Sequence, residues 1–228
     1  MTSAQAMIRF DAVSKRYVGG SEALSGVDFS LAGGEMAFLT GHSGAGKSTL
    51  LKLLMVMERP SLGSILVNGH NIGRLPARQI PYYRRQLGVV FQDHRLLTDR
   101  TVFDNIALPL QVSGLRSSEI AKRVRAALSA VGLAGFESKR PLALSGGEQQ
   151  RVGIARAVVH KPRIVLADEP TGNLDPELSA EIMTLFQRFQ QSGVAVMVAT
   201  HDVELIRRAN CRVLHLDHGR LSEQVGYE

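Results

Sequence analysis

The stretch Gly41-His42-Ser43-Gly44-Ala45-Gly46-Lys47-Ser48 constrains this chain more than any other. It fits the phosphate-binding pattern G-x-x-x-x-G-K-[ST] without a gap. Before it, Met36–Leu39 reads as a short buried strand; after it, Thr49–Leu54 opens a helix. That strand–loop–helix context separates a phosphate cradle from a glycine-rich turn that holds nothing. Glycines let backbone N–H groups close round a polyphosphate with no side chains in the way. The helix directs the positive end of its dipole at the same anion. Lys47 would neutralise the β- and γ-phosphates and the Ser48 hydroxyl would ligate Mg2+. Gly41, His42, Ser43, Gly44, Ala45, Gly46, Lys47, Ser48 and Thr49 are the expected nucleotide-binding residues.

Around the loop the pattern is α/β. Ile8–Val13 and Gly26–Leu31 alternate as strands, with Ser14-Lys15-Arg16-Tyr17 and the turn Gly19-Gly20 between them. Tyr17, just upstream of the loop, can stack on a nucleobase or cover a strand edge. Ser64–Val67 ends at an Asn68-Gly69 turn, Leu87–Phe91 delivers Gln92 and Asp93 to its end, and Met55 and Met57 read as core filling. From about 95 to 140 the texture turns helical, with helices expected over Val102–Leu110 and over Ser118–Val131, the latter opened by Ser117 or Ser118. The sheet pattern returns with Arg163–Ala167, helix Glu177–Gln191, strand Val194–Ala199 and helix Asp202–Arg208. A closing strand pair surrounds His218-Gly219. Strand–helix alternation predicts a mainly parallel core sheet, preceded by an antiparallel N-terminal β part. One domain is expected over 1–228, with an α/β core at 1–94 and 141–228 and a helical insert at about 95–140.

At 228 residues, 44% hydrophobic and 21% charged, the composition is that of an ordinary globular domain. The start lacks the basic and apolar regions of a signal peptide, and no apolar run is long enough to span a bilayer. The single Cys211 excludes an internal disulfide framework and reads as a buried core thiol. A net charge of +6 suits a polyanion, an anionic membrane surface or simply a solvated basic face. Only 5% of residues are aromatic and none is Trp, which gives little support to stacking on single-stranded nucleic acid.

Ile164-Val165-Leu166-Ala167 is an aliphatic strand ending in Asp168-Glu169. Ligands of open α/β sheets gather at the carboxyl ends of such strands. Asp168 is placed to hold Mg2+, directly or through water, and Glu169 to accept a proton from the attacking water. Leu144-Ser145-Gly146-Gly147-Glu148 is a second glycine-rich helix start, read locally as a capping box of Ser145 with Glu148. One nucleotide hardly needs two cradles, so each loop is read as serving a nucleotide shared between two chains.

The loop at 41–48, Gln92, Leu144–Glu148, Asp168-Glu169, Asp175 and His201 occur in the order and spacing of ABC transporter ATPase subunits, which the whole chain resembles. The resemblance implies a homodimer with two ATP at its interface. It implies that Tyr17 stacks on adenine, and that Ser145 and Gly147 bind the γ-phosphate held by the opposite protomer. Gln92 would touch Mg2+ and report to a membrane partner. Glu169 would be the general base, His201 would hold the γ-phosphate and water, and Asp175 would couple the two sites. The six other histidines, His215 and His218 among them, have no metal-site partners in the pattern and read as surface or core residues.

Thr171-Gly172-Asn173-Leu174-Asp175 resembles the branch serving lipoprotein release, macrolide export and cell division. Phe91–Leu97 and Asp99–Asn105 are similar to its cell-division members. That resemblance implies an integral membrane partner at the division site, further division proteins, and a location on the cytoplasmic face of the bacterial membrane. Leu96 and Leu97 are candidate docking contacts, with a core role as the alternative. An exporter or lipoprotein-release ATPase shares the same ATP motifs and is the alternative function. A soluble ABC ATPase acting on nucleic acid or ribosomes usually has a coiled-coil insertion or a second nucleotide domain, so no nucleic-acid partner is expected.

Overall fold

A computed structural model describes residues 6–172, 174–209 and 211–225. The described residues open with two long strands, β1 (Ala6–Arg16) and β2 (Glu22–Ala32), which pair antiparallel. β1 absorbs Ser14–Arg16, which the alternation alone leaves as a connection. It does so through bulges: register shifts between Phe10 and Val13, and Ala12 takes a left-handed φ of 46°. Phe10 and Phe29 stack across the pair, centroids 4.5 Å apart. β4 (Leu62–Val67) pairs with the other edge of β1, and β5 (His70–Asn71) closes a four-stranded antiparallel sheet in the order β2-β1-β4-β5. The β4–β5 turn puts Asn68 and Gly69 at φ 48° and 77°, as its sequence demands.

The second sheet has the order β10-β9-β3-β8-β7-β6 and carries the phosphate loop. Its members are β3 (Met36–Thr40), β6 (Leu87–Val90), β7 (Ile164–Asp168), β8 (Ala195–Ala199), β9 (Arg212–Asp217) and β10 (Arg220–Val225). Every pairing except the β9–β10 hairpin is parallel, so the mainly parallel sheet read from the strand–helix alternation is what forms. All five residues of β3 and of β8 are buried. Successive residues feed opposite layers. Phe38, Val165 and Val198 pack with Ile106, Val152 and Phe186, whereas Leu39, Leu166 and Met197 pack with Leu50 and Phe10. Truncating a side chain as buried as Phe38 to Ala costs about 3–5 kcal/mol.

Helices cover this sheet. α1 (Lys47–Leu54) follows the phosphate loop, and the short α2 (Ile80–Arg84), for which the sequence shows no clear periodicity, is anchored by Tyr83, whose buried hydroxyl donates to Leu54 O at 2.6 Å. α3 (Val102–Val112) runs past Leu110 with Pro109 inside its last turn. α4 (Ser117–Ala130) starts one residue early, with Arg116 at the N-cap and no side-chain cap, so neither Ser117 nor Ser118 caps it. α5 (Gly146–Val158), α6 (Pro176–Gln191) and α7 (Val203–Ala209) complete the set.

Two core readings need correcting. Cys211 is only half-buried at the sheet margin, its thiol donating to Ala209 O at 3.1 Å, although burial still raises its pKa. Met57 is 54% exposed, while Met55 packs against the core.

Candidate active site

The phosphate loop needs its glycines for two physical reasons. Gly41, Gly44 and Gly46 take φ of 140°, 83° and 114°, and a Cβ on Gly41 would lie 2.2 Å from Leu216 O. Gly44 has open space where its Cβ would stand, which leaves the mouth of the loop unobstructed. Lys47 Nζ donates back to Gly41 O at 2.6 Å and His42 O at 3.1 Å, so its charge sits over the loop. The first turn of α1 contains no acidic residue to oppose an anion. Tyr17 is half-buried, with its hydroxyl 3.4 Å from Thr49 Oγ1 and Lys15 Nζ 5.0 Å from its ring centroid. It therefore stands over the start of α1.

β7 and β8 deliver the acidic pair and the histidine side by side. Asp168 pairs with Ala199, and Glu169 N donates to Ala199 O at 2.9 Å. His201 Nδ1 then lies 2.8 Å from Glu169 Oε1. Glu169 takes a left-handed φ of 47°, a conformation costly for a non-glycine residue. Its second oxygen, Oε2, is buried without a partner, an orphaned acceptor of the kind found where a ligand or water belongs.

Asp168 lines a small cavity of about 80 Å³ together with Ser48, Leu166 and Arg95. Burial raises the Asp168 pKa, the Glu169 charge raises it further, and Lys47 and Arg95 pull the other way. Ser48 hydroxyl and Asp168 carboxylate make an oxygen-only donor set, which fits a hard cation such as Mg2+. Gln92, two residues past β6, brings its Nε2 to 4.0 Å from where a Cβ on Gly172 would stand, beside the Glu169 backbone. Lys47, Ser48, Asp168, Glu169, His201 and Gln92 thus belong to one end of the parallel sheet.

Ser145 and Asp175 lie elsewhere, each at the head of a helix. Ser145 Oγ accepts from Glu148 N at 3.3 Å and Glu148 Oε2 from Ser145 N at 2.8 Å, the complete capping box. Asp175 Oδ1 accepts from Leu178 N at 2.9 Å and caps α6. The two heads meet: a Cβ on the buried Gly147 would come 2.1 Å from Leu178 Cδ2. Leu144 is buried, and Ser145 and Gly146 are exposed.

The loop after β6 is held by residues that motif reading passes over. Arg156 of α5 donates to His94 O at 2.6 Å and to Arg95 O at 2.7 Å, and His94 Nδ1 sits 2.5 Å from Gln150 Oε1. Both His94 and Arg95 are left-handed, at φ 56° and 46°. Two adjacent non-glycine residues in that conformation leave no compositional signal. Asn105, fully buried, accepts from Leu97 N and donates to Leu97 O and Thr101 O. Leu96 packs against the core, whereas Leu97 is 42% exposed. The reading that His218 has no metal-site partners is also corrected. His42, Asp217 and His218 converge, their ligand atoms within 4.8 Å of one another.

Residues 24–172 match the family model described as ABC transporter. The chain belongs to this family. It is an ABC-type ATP-binding subunit with ATPase activity, and its similarity extends over nearly its full length. The cell division ATP-binding protein FtsE of Escherichia coli is 59% identical over 97% of this chain and 100% of its own. FtsE of Haemophilus influenzae is 53% identical over 94% and 99%. Among solved structures, the dimeric ABC transporter cassette MJ0796 superposes with a TM-score of 0.88 at 33% identity, covering 97% of this chain and 100% of that one. The same cassette in a post-hydrolysis state bound to ADP and Pi also gives 0.88, at 32% identity.

Proposed function

We propose that two copies of this chain close around two ATP and drive an integral membrane partner resembling FtsX, controlling cell-wall hydrolysis at division. The complex works at the cytoplasmic face of the bacterial membrane. The observation that carries the catalytic half of this reading is the Glu169 carboxylate, with one oxygen on His201 and the other buried and unpartnered.

In this reading hydrolysis is positioning and charge stabilisation. Lys47 leaves the carbonyls of Gly41 and His42 for the β- and γ-phosphates, while loop N–H groups and the head of α1 hold the rest of the chain of phosphates. Tyr17 stacks on adenine beside Thr49. Ser48, Asp168 and Gln92 would hold Mg2+, which when bound neutralises charge on the phosphate oxygens. Glu169 Oε2 takes the proton of the attacking water while His201 fixes Oε1 and contacts the γ-phosphate. The turn Leu144–Glu148, exposed at Ser145 and Gly146, meets the γ-phosphate held by the opposite copy through Ser145 and Gly147. Asp175 couples the two sites through its place at the head of α6.

Docking of the partner is supported by a groove of about 610 Å³ lined by Met57, Arg84, Phe91, Leu108 and Val112. It opens beside the loop that carries Gln92, and it joins exposed apolar side chains to basic ones, as suits an amphipathic cytoplasmic helix. No described helix is long and apolar enough to cross a membrane, so a separate chain would provide the span. A photoreactive residue at Leu108, exposed on the wall of this groove, with mass spectrometry of the adduct from native membranes, tests this. Capture of an FtsX-like protein is the expected outcome. Capture of an exporter or lipoprotein-release permease would overturn the division role and leave the ATPase chemistry standing; no membrane adduct would overturn the docking surface.

A further inference from the structure

Away from the oxygen donors at Ser48 and Asp168, three side chains of a different chemistry converge. His42 projects from the phosphate loop, and Asp217 and His218 come from the β9–β10 turn. His42 Nε2 lies 3.5 Å from Asp217 Oδ1, and His218 Nε2 lies 3.8 Å from the same oxygen. A tetrahedral zinc ion with bonds of about 2.0–2.1 Å places its ligand atoms about 3.3–3.4 Å apart. Two of the three separations already approach that value, and all three atoms lie within 4.8 Å of one another.

The tautomer is set correctly. His42 Nδ1 is 2.7 Å from Ser43 O. A carbonyl oxygen only accepts, so Nδ1 carries the proton and the Nε2 lone pair is free for a ligand. The backbone fixes the spacing as well. Gly219 N donates to Ala45 O at 3.1 Å and Ser25 N donates to Gly219 O at 2.8 Å, so the turn is pinned directly against the phosphate loop. A Cβ on Gly219 would come 2.9 Å from Ala23 O, so this close seat depends on glycine.

We propose that His42, Asp217 and His218 form a binding site for a divalent transition metal of the zinc class, clamping the phosphate loop to the β9–β10 turn. Two imidazoles and one carboxylate favour zinc, nickel or copper over magnesium, and water completes the coordination. The site goes beyond the reading of the ATPase, and its test needs neither nucleotide nor membrane partner.

The test uses the full-length chain, stripped of metal and free of nucleotide, titrated with zinc against a chromogenic chelator. Cobalt substitution then reports coordination by visible absorption. One equivalent of zinc is expected to bind. Asp217→Asn and His218→Gln should weaken it by at least the roughly 10–100-fold that an outer-shell change alone costs. His70→Gln, in the other sheet, should leave it unchanged. All three side chains are exposed, so the variants should fold, which a thermal melt checks. Absence of saturable zinc uptake, or uptake that Asp217→Asn and His218→Gln leave intact, would overturn the proposal.

Discussion

His201 Nδ1 stands 2.8 Å from Glu169 Oε1, while Glu169 holds a left-handed backbone and keeps Oε2 buried and unpaired. The histidine thus occupies one oxygen and leaves the other without a partner. Glu169→Gln keeps the shape and removes the base. Steady-state phosphate release should fall by roughly 100-fold or more, and an ATP-bound dimer should accumulate in size-exclusion chromatography. Turnover unchanged in that variant would remove Glu169 from the role of base.

Gly147 faces Leu178 so closely that a methyl group fits only if the Leu178 side chain shifts, since its Cβ would lie 2.1 Å from Leu178 Cδ2. Gly147→Ala should destabilise the chain by about 1–3 kcal/mol, the usual cost of overpacking. Adding Leu178→Ala should recover part of that loss. Urea denaturation of the single and double variants measures both, and additive losses would contradict the contact.

Asn105 is fully buried and ties α3 to the loop at Leu97 through both backbone groups of that residue. Asn105→Leu removes the three bonds and leaves Leu97 N–H and C=O to find water, at a cost of about 1–3 kcal/mol. Amide exchange at Leu97 should accelerate together with the loss of stability. Protection there as in the parent chain would show that the loop does not depend on Asn105.

Burial, and after it the Glu169 charge, holds the Asp168 carboxyl above its ordinary pKa. The folded chain therefore binds this proton more tightly than the unfolded one. The associated stability is fully present below the ordinary carboxylate value and is lost as pH rises through the raised folded value. At pH 7 the ionised Asp168 works against the nucleotide-free fold. Asp168→Asn should raise its melting temperature there by at most about 2–4 °C, the shift that ~1 kcal/mol produces in a domain of this size. Solvent screening of a half-exposed group sets that ceiling. Calorimetry should show the gain shrinking as pH falls towards 4, and a gain that grows in acid would contradict the assignment.

The sequence made most of the sheet legible, because β3, β7 and β8 are short aliphatic runs with turn chemistry on both sides. The phosphate loop and the Asp168-Glu169 pair were legible for a related reason: each follows a strand that must be buried on both faces. Fine geometry was less so. Ser14–Arg16 joined β1 only because bulges absorb the irregular register, and α2 is too short to show a period. Gly147 reads as a cradle residue, yet Leu178, 31 positions on, is what crowds the place of a side chain there. His42 and His218 met through a backbone seat at Gly219 that no local pattern encodes.

β3, which leads into the phosphate loop, pairs on one side with β8 and on the other with β9, so Met36 sits opposite Val196 and Phe38 opposite Val213. A ribosome adding about 5–20 residues per second needs roughly 10–30 s to make the intervening chain. Throughout that interval an aliphatic strand followed by a complete nucleotide motif has no partner on either side. The strand that presents the nucleotide motif therefore gains its neighbours late, and ATP can first act as a folding aid near the end of synthesis. A ribosome-stalled chain ending before Val194 should fail to retain ATP, and one extended through Val225 with its exit-tunnel linker should retain it.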